Sequence, residues 1–379
     1  MATIFGLLRE HGALTRADLT RTSGLARPTV IAIVNRLLAE GVILEAGKLP
    51  ASSAGGRPGS LLQVRPKGRV VAAARLHDGR IETVLADVAG SAIASSTEPR
   101  TPPSAHWRVF LESIARQVLG LYSALPNPGP LAAAAVSLPG SIERTSGMWT
   151  LQRQPGWRDI PAGDFLRAAL GVPTGIINSV AAGLIGQISR QPQYAGSATL
   201  VYIGKGVGSA AIVNGRLLDG ASGSAGELGH CQLPGLDTKC ACGGRGCLET
   251  VTATPYLRRE YRRRTGRQAP GTLAKMEAAG HADVDEMLDQ AAGRLGLGAS
   301  WMVNIVNPGA VFLGGNEFTE GSVRFFDSFA ASVYRHALAP NAEALRVLPA
   351  AADASLRGTV QVACEMLPEA LKPTLALVR

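Results

Sequence analysis

The 379-residue sequence predicts a small α+β module over residues 1–48, then a wing and linker over 49–69, then a large α/β domain over 70–379. Three observations predict this. Two stretches of helical hydrophobic spacing flank a Ser-Gly-Leu turn near the N-terminus. A segment rich in Gly, Pro and Ser follows. From about Val70 onward, short apolar runs ending near glycines alternate with helical stretches.

In chain order, residues 2–11 read as a short helix with Ile4, Leu7 and Leu8 at helical spacing. Thr15 stands where an N-cap belongs, and Asp18 follows three residues later. A hydroxyl and a carboxylate both suit the exposed amides of a first turn. Leu19 faces the core of that helix, and Ser23–Leu25 supply a tight turn. A second helix runs from about Arg27 to Glu40, with Pro28 in its first turn, where no amide hydrogen bond is lost. Its buried stripe is Val30, Ile33, Val34, Leu37 and Leu38; Gly41 ends it, and Val42–Glu45 begin a strand.

Helix, tight turn, helix and β-wing make the winged helix-turn-helix pattern, in which the second helix enters the major groove of double-stranded DNA. The outward positions there are Arg27, Thr29, Ile31, Ala32 and Asn35. Arg27 suits guanine or a phosphate, Thr29 a phosphate, and Ile31 or Ala32 the thymine methyl. A three-helix protein-interaction module would share the helical pattern. Charge favours DNA: residues 1–69 hold ten basic and four acidic side chains, +6 of a net +9 for the whole chain. Within the 49–69 segment, GGRPG places Arg57 on a thin backbone fit for a narrow minor groove, although a plain linker would have the same composition.

The large domain reads as strands VVAAARL, ETVLADV, AAAAVSL, SATLVYIG and GAVFLGG. Helical stretches such as HWRVFLESIARQVLGLYSAL and MLDQAAGRLGLGASWMVNIV lie between several of them, and the length permits two lobes. No 18-residue uncharged apolar stretch occurs, and the N-terminus is too charged for a secretory signal, so a cytoplasmic protein without a membrane partner is expected.

Four of the five cysteines fall within 17 positions. In a reducing compartment, clustered thiols bind metal more often than they form disulfides. His230, Cys240, Cys242 and Cys247 supply one imidazole and three thiols, a closed tetrahedral set for structural Zn²⁺ in a loop spanning 230–247. Cys231 adjoins His230 and is poorly aimed. Four unligated thiols remain the alternative, and a free-standing zinc finger is disfavoured because the segment lacks a basic recognition helix. Just upstream, IGKGVGSAAIVNGRLLDGASGSAGELGH suits a glycine turn between strands that cradles phosphate or packs closely.

Together these residues resemble the ROK family, which groups sugar-responsive repressors with sugar kinases. GELGH followed by CACGGRGCLE carries most of the resemblance; GLARPTV, GGRPG, SLPGS at 137–141, IINS at 176–179 and NPGAVFLGG at 307–315 add to it. The resemblance implies an actin/hexokinase-like, two-lobed α/β domain of the sugar-kinase type. It implies that Glu227, His230 and Glu249 bind sugar hydroxyls, with His230 also on zinc. It implies further that Asn178 contacts the sugar, and that Pro139 and Gly140 line the pocket. Three departures stand out. Ser179 occupies the place of the family's catalytic Asp, ARLHDGR replaces the Asp-x-Gly-x-Thr phosphate loop near 74–80, and Gln187 stands where Glu is frequent. A serine hydroxyl does not ionise at neutral pH and cannot act as that base. The expectation is a homodimeric or homotetrameric DNA-binding regulator, in the family most often a repressor, that senses a sugar or sugar phosphate without catalysis. The rivals are a sugar kinase with an accessory DNA-binding domain, and a DNA-binding protein whose large domain only oligomerises.

Overall fold

The computed structural model describes residues 2–48, 60–65, 68–77, 79–99, 106–152, 156–315 and 321–367. The N-terminal elements are α1 (Ala2–His11), β1 (Leu14–Thr15), α2 (Arg16–Ser23), α3 (Arg27–Ala39), β2 (Ile43–Lys48) and β3 (Ser60–Val64). There follow β4 (Val70–His77), β5 (Arg80–Asp87), β6 (Ala92–Pro99), α4 (Trp107–Ser123), β7 (Leu131–Leu138), β8 (Ser141–Glu143), β9 (Met148–Gln152), β10 (Trp157–Ile160), α5 (Ala162–Leu170), β11 (Thr174–Asn178) and α6 (Ser179–Arg190). The last group is β12 (Ser197–Ile203), β13 (Val207–Val213), β14 (Arg216–Leu217), α7 (Thr254–Thr265), α8 (Leu273–Glu277), α9 (Ala282–Val306), β15 (Ala310–Gly315), α10 (Val323–His336), α11 (Ala339–Ala344), β16 (Arg346–Pro349) and α12 (Ala354–Glu365).

The chain divides into two compact units, Met1–Val136 with Pro161–Ile176 and Thr359–Arg379, and Ser137–Ile160 with Ile177–Gly358. The winged module lies in the first. Thr15 caps α2 reciprocally: its hydroxyl accepts from the Asp18 amide at 3.1 Å, and its own amide donates to the Asp18 carboxylate at 3.1 Å. Gly24, in the left-handed region at φ 66°, turns the chain into α3, whose first turn holds Pro28. Ile4, Leu8, Leu19, Val30, Val34, Leu37, Ile43 and Leu62 are all buried. Ile33 and Leu38, expected inside, are half-buried. The three strands pair in the order β1-β3-β2, antiparallel throughout. The return strand of the wing is therefore β3, inside the segment that composition alone marks as wing and linker.

The rest of the first unit is built on a five-stranded sheet of order β11-β7-β4-β5-β6. Strands β4 and β7 are buried over nearly their whole length, so they read as continuous apolar runs rather than alternating ones. The second unit carries a sheet of order β14-β13-β12-β15-β16, with β12-β13-β14 antiparallel and β12-β15-β16 parallel. Taken by order of appearance, each sheet runs third, second, first, fourth, fifth. The two units thus repeat one topology, the duplicated α/β arrangement that the family resemblance implies. A small sheet of order β10-β9-β8 is also present. Among the described residues no helix is long and apolar enough to cross a membrane.

Candidate metal centre and nucleic-acid interface

The loop after β14 is fixed by backbone bonds before any side chain is considered. Ser209, on β13, donates its amide to the Gly226 carbonyl at 2.8 Å and its hydroxyl to the same oxygen at 2.9 Å. Gly226 has φ +86°, and a Cβ there would lie 2.0 Å from the Ser209 carbonyl oxygen, so only glycine fits. A short 3₁₀ turn, Leu228–His230, follows, and a second one, Leu248–Val251, holds Glu249. Between them the chain doubles back: Leu233 donates to Gly246 at 2.8 Å, Gly246 to Thr238 at 2.9 Å, Cys240 to Gly244 at 2.9 Å and Leu248 to Cys231 at 2.9 Å. Glycines let the strand of the loop fold this tightly.

This path brings His230, Cys240, Cys242 and Cys247 together, with their ligand atoms all within 4.8 Å of one another. Cys240 Sγ lies 3.7 Å from His230 Nδ1, and Cys242 Sγ lies 3.6 Å from Cys247 Sγ. Zinc bonds of about 2.3 Å to sulfur and about 2.0 Å to nitrogen give tetrahedral edges of about 3.5 to 3.8 Å. The donor set and its spacing therefore fit a tetrahedral cation. Burial pushes the Cys240 thiol up to about 12 and raises Cys247 as well. A bound cation works against that tendency, because the thiolate is the ligand form. Cys231, beside His230, is exposed and is not a member of the set.

The two ring nitrogens of His230 face different groups. Nδ1 meets Cys240 and lies 3.6 Å from Glu249 Oε1, whereas Nε2 lies 3.7 Å from Glu227 Oε2. Glu249 also accepts from Cys240 Sγ at 3.2 Å. Glu227, His230 and Glu249 thus form one cluster. Pro139, Gly140 and Asn178 form another: Asn178 Nδ2 donates to the Gly140 carbonyl at 2.8 Å, and the Pro139 carbonyl accepts from Trp149 Nε1 at 2.8 Å. Asn178 Oδ1 caps α6, accepting from the Val180 and Ala181 amides at 2.8 and 3.1 Å. Asn178 therefore has a framework task that sequence reasoning missed. The clue was available, since Asn before a helical run is an N-cap residue.

At the positions where the sequence departs from the family, Ser179 opens α6, and its buried hydroxyl oxygen has no hydrogen-bond partner among the described residues. Gln187 is buried, and its side-chain oxygen accepts from the Ala351 amide at 2.9 Å. The hairpin between β4 and β5, where ARLHDGR falls, is crossed by an Arg75–Glu82 ion pair at 2.8 Å. The Gly204–Gly206 turn between β12 and β13 is closed by a Gly204 amide to Gly206 carbonyl bond of 2.9 Å, as strand–glycine turn–strand spacing predicts.

On α3, Arg27, Thr29, Ile31, Ala32 and Asn35 are all exposed. Among the described residues, no hydrogen bond or ion pair engages the side chains of Arg27, Thr29 or Asn35. Arg57 lies outside the described residues.

A winged helical module joined to a duplicated α/β domain with a His/Cys₃ loop defines a two-part class of protein. The ROK family model matches residues 80–365, and a model described as winged helix-turn-helix DNA-binding matches residues 3–43. The chain belongs to the ROK family. It is 25% identical to the xylose repressor of Bacillus spizizenii over 315 residues, covering 81% of this chain and 80% of that one. It is 26% identical over 357 residues to the DNA-binding transcriptional dual regulator NagC of Escherichia coli K12, covering 89% and 85%. In fold it is similar to a crystal structure of a ROK family transcriptional regulator described as a homologue of the E. coli MLC protein, with a TM-score of 0.82, 21% identity, and coverage of 98% and 97%.

Proposed function

We propose that this chain is a DNA-binding transcriptional repressor of carbohydrate-metabolism genes, whose ROK domain binds a sugar or sugar phosphate without catalysis. The observation that carries the reading is the pairing of two surfaces in one chain. One is the exposed, unengaged face of α3 in a winged module. The other is the Glu227–His230–Glu249 cluster built onto the His/Cys₃ set. The likeness to a xylose repressor and to NagC supports it.

His230, Cys240, Cys242 and Cys247 would hold a structural Zn²⁺: four protein ligands leave no open position for substrate or water. It would pin the loop and hold the His230 ring, with Glu227, His230 Nε2 and Glu249 as the groups offered to ligand hydroxyls. Two features support a sensor without phosphoryl transfer. Ser179 offers no ionisable base, and ARLHDGR at 74–80 lacks the Thr and the Asp–Gly spacing of the family's phosphate loop. The protein would act in the cytoplasm as a homodimer, reading two half-sites with paired α3 helices. Sugar would favour one conformation and so change DNA affinity; by linkage, DNA would change sugar affinity by the same factor.

The test is a thermal-shift screen of the zinc-loaded protein against hexoses, pentoses, amino sugars, their phosphates and ATP, followed by DNA-binding titrations with the best ligand. A sugar that raises Tm and alters DNA affinity supports the reading. ATP-dependent phosphorylation of that sugar, or DNA affinity indifferent to saturating sugar, would overturn it.

A further inference from the structure

Outside residues 1–69 the positive charge gathers on one helix. Helix α7 carries Arg258, Arg259, Arg262, Arg263 and Arg264 within twelve residues. Arg267 follows the Gly266 C-cap, and Glu260 is the one acid in the span. Residues 254–267 therefore hold +5 and residues 1–69 hold +6, in a chain whose net charge is +9. Everything else sums to a slightly acidic remainder, so α7 is not a sample of a uniformly basic surface.

Packing decides which way these arginines face. Leu257 and Tyr261, four residues apart, are buried in the core that also holds Val284, Leu288 and Leu295 of α9. Arg258, Arg259, Arg262, Arg263 and Arg267 are exposed. Several of them meet uncharged groups. Arg262 donates to Gln268 at 3.1 Å, Arg258 to the Gly271 carbonyl at 3.2 Å, and Arg259 lies over the Tyr256 ring at 5.7 Å. Arg263 and Arg264 share Glu260 at 2.6 and 2.9 Å, and Arg264 also meets the Asp283 carbonyl. The bond from Arg263, then that from Arg264, holds the Glu260 carboxyl down at about 2, which fits the strongly positive field around it. Complementing the helix dipole accounts for the basic residues at the C-terminal end, but not for Arg258 or Arg259.

We infer that the exposed face of α7 is a second DNA-binding surface, one that touches backbone phosphates without reading sequence. The inference rests on the proposed DNA-binding function. Duplex DNA is favoured over an acidic protein because the winged module would already hold it to the same molecule. Duplex DNA also presents one negative charge per about 1.7 Å, a density that suits a net +5 within fourteen residues.

The experiment uses the full chain and a mixed-sequence duplex of about 40 base pairs, with affinity followed by fluorescence anisotropy from about 0.05 to 0.3 M salt. It compares the wild type, the triple variant Arg259→Gln, Arg262→Gln and Arg267→Gln, and the separate variant Arg27→Ala. The triple variant should flatten the slope of log affinity against log salt by about 2 to 3, at about 0.9 for each phosphate no longer neutralised, and weaken binding at least about tenfold at low salt. An unchanged slope overturns the inference, including the case in which the triple variant instead loses binding to polyglutamate and so identifies a protein-facing surface. A loss confined to the triple variant, with Arg27→Ala neutral, leaves α7 standing and removes the α3 reading; the converse result does the opposite. Should the triple variant lower Tm, Arg267→Glu, which lies beyond the helix, gives the same slope test.

Discussion

Arg69 reaches back from the start of β4 and donates to Glu40, the C-cap of α3, at 3.3 Å to its carbonyl and 3.1 Å to its carboxylate. The contact fastens the end of α3 to the residue just before β4, the middle strand of the five-stranded sheet of the same unit. Gly68 lies in the same joint, where a Cβ would stand 2.8 Å from the Gly41 carbonyl. Arg69→Ala should cost only about 0.5 to 1 kcal/mol in urea unfolding, because both side chains are partly exposed. Its effect on DNA affinity should be larger than its effect on folding suggests, about three- to tenfold, because the helix must then be ordered on binding. Equal affinity for the variant and the wild type would show that the latch does not position α3.

The Thr15–Asp18 capping box is a second stabilising element of the winged module. Thr15→Ala should lower stability by about 1 kcal/mol, read from chemical denaturation. The Thr15 hydroxyl first, and its amide second, hold the Asp18 carboxyl below its ordinary 3.8. With the folded value below the unfolded one, Asp18's contribution is complete above 3.8 and disappears as pH falls through the lower, folded value. The difference in stability between wild type and Thr15→Ala should therefore shrink with acidification below about pH 4. A pH-independent difference would assign the effect to the bond that the hydroxyl accepts from the Asp18 amide, and not to the carboxylate.

Metal content and stability should move together in the 230–247 loop. Cys240→Ser should lose the bound zinc by atomic emission and lower Tm by about 5 °C or more. Cys231→Ser, one residue from His230 but exposed and outside the set, should retain both. Zinc held equally by the two variants would exclude the proposed ligand set.

Gly226→Ala tests whether the loop is placed by backbone geometry. With φ +86° and a Cβ 2.0 Å from the Ser209 carbonyl oxygen, the change should cost about 2 kcal/mol or more. The loop should also lose zinc affinity even though no ligand is altered. Wild-type metal content in a destabilised Gly226→Ala protein would mean that the ligand set assembles independently of the Ser209 contact.

Much of this arrangement was legible in one dimension because its signals are local. A capping box needs residues three apart, a helical stripe needs a period, and a His/Cys₃ loop needs four ligands on a short segment. Thr15, Pro28, Gly41 and the four metal-set residues could each be assigned from their neighbours. Strand β3 was not legible in the same way: SLLQV is short, and only its pairing with β1 and β2 makes it part of the winged module. The framework task of Asn178, the burial of Gln187 against Ala351, and the Arg69–Glu40 latch depend on partners 29 to 164 positions away.

The sequence by itself determined the two-part class of the chain, its winged helical entry and its His/Cys₃ cluster, because each rests on spacing and residue chemistry that short segments carry alone. Only the tertiary structure decided the strand order of each sheet, which atoms each nitrogen of His230 meets, and that α7 turns its arginines outward. Those outcomes follow from long-range strand order and from which face of an element is buried, and no local pattern specifies them.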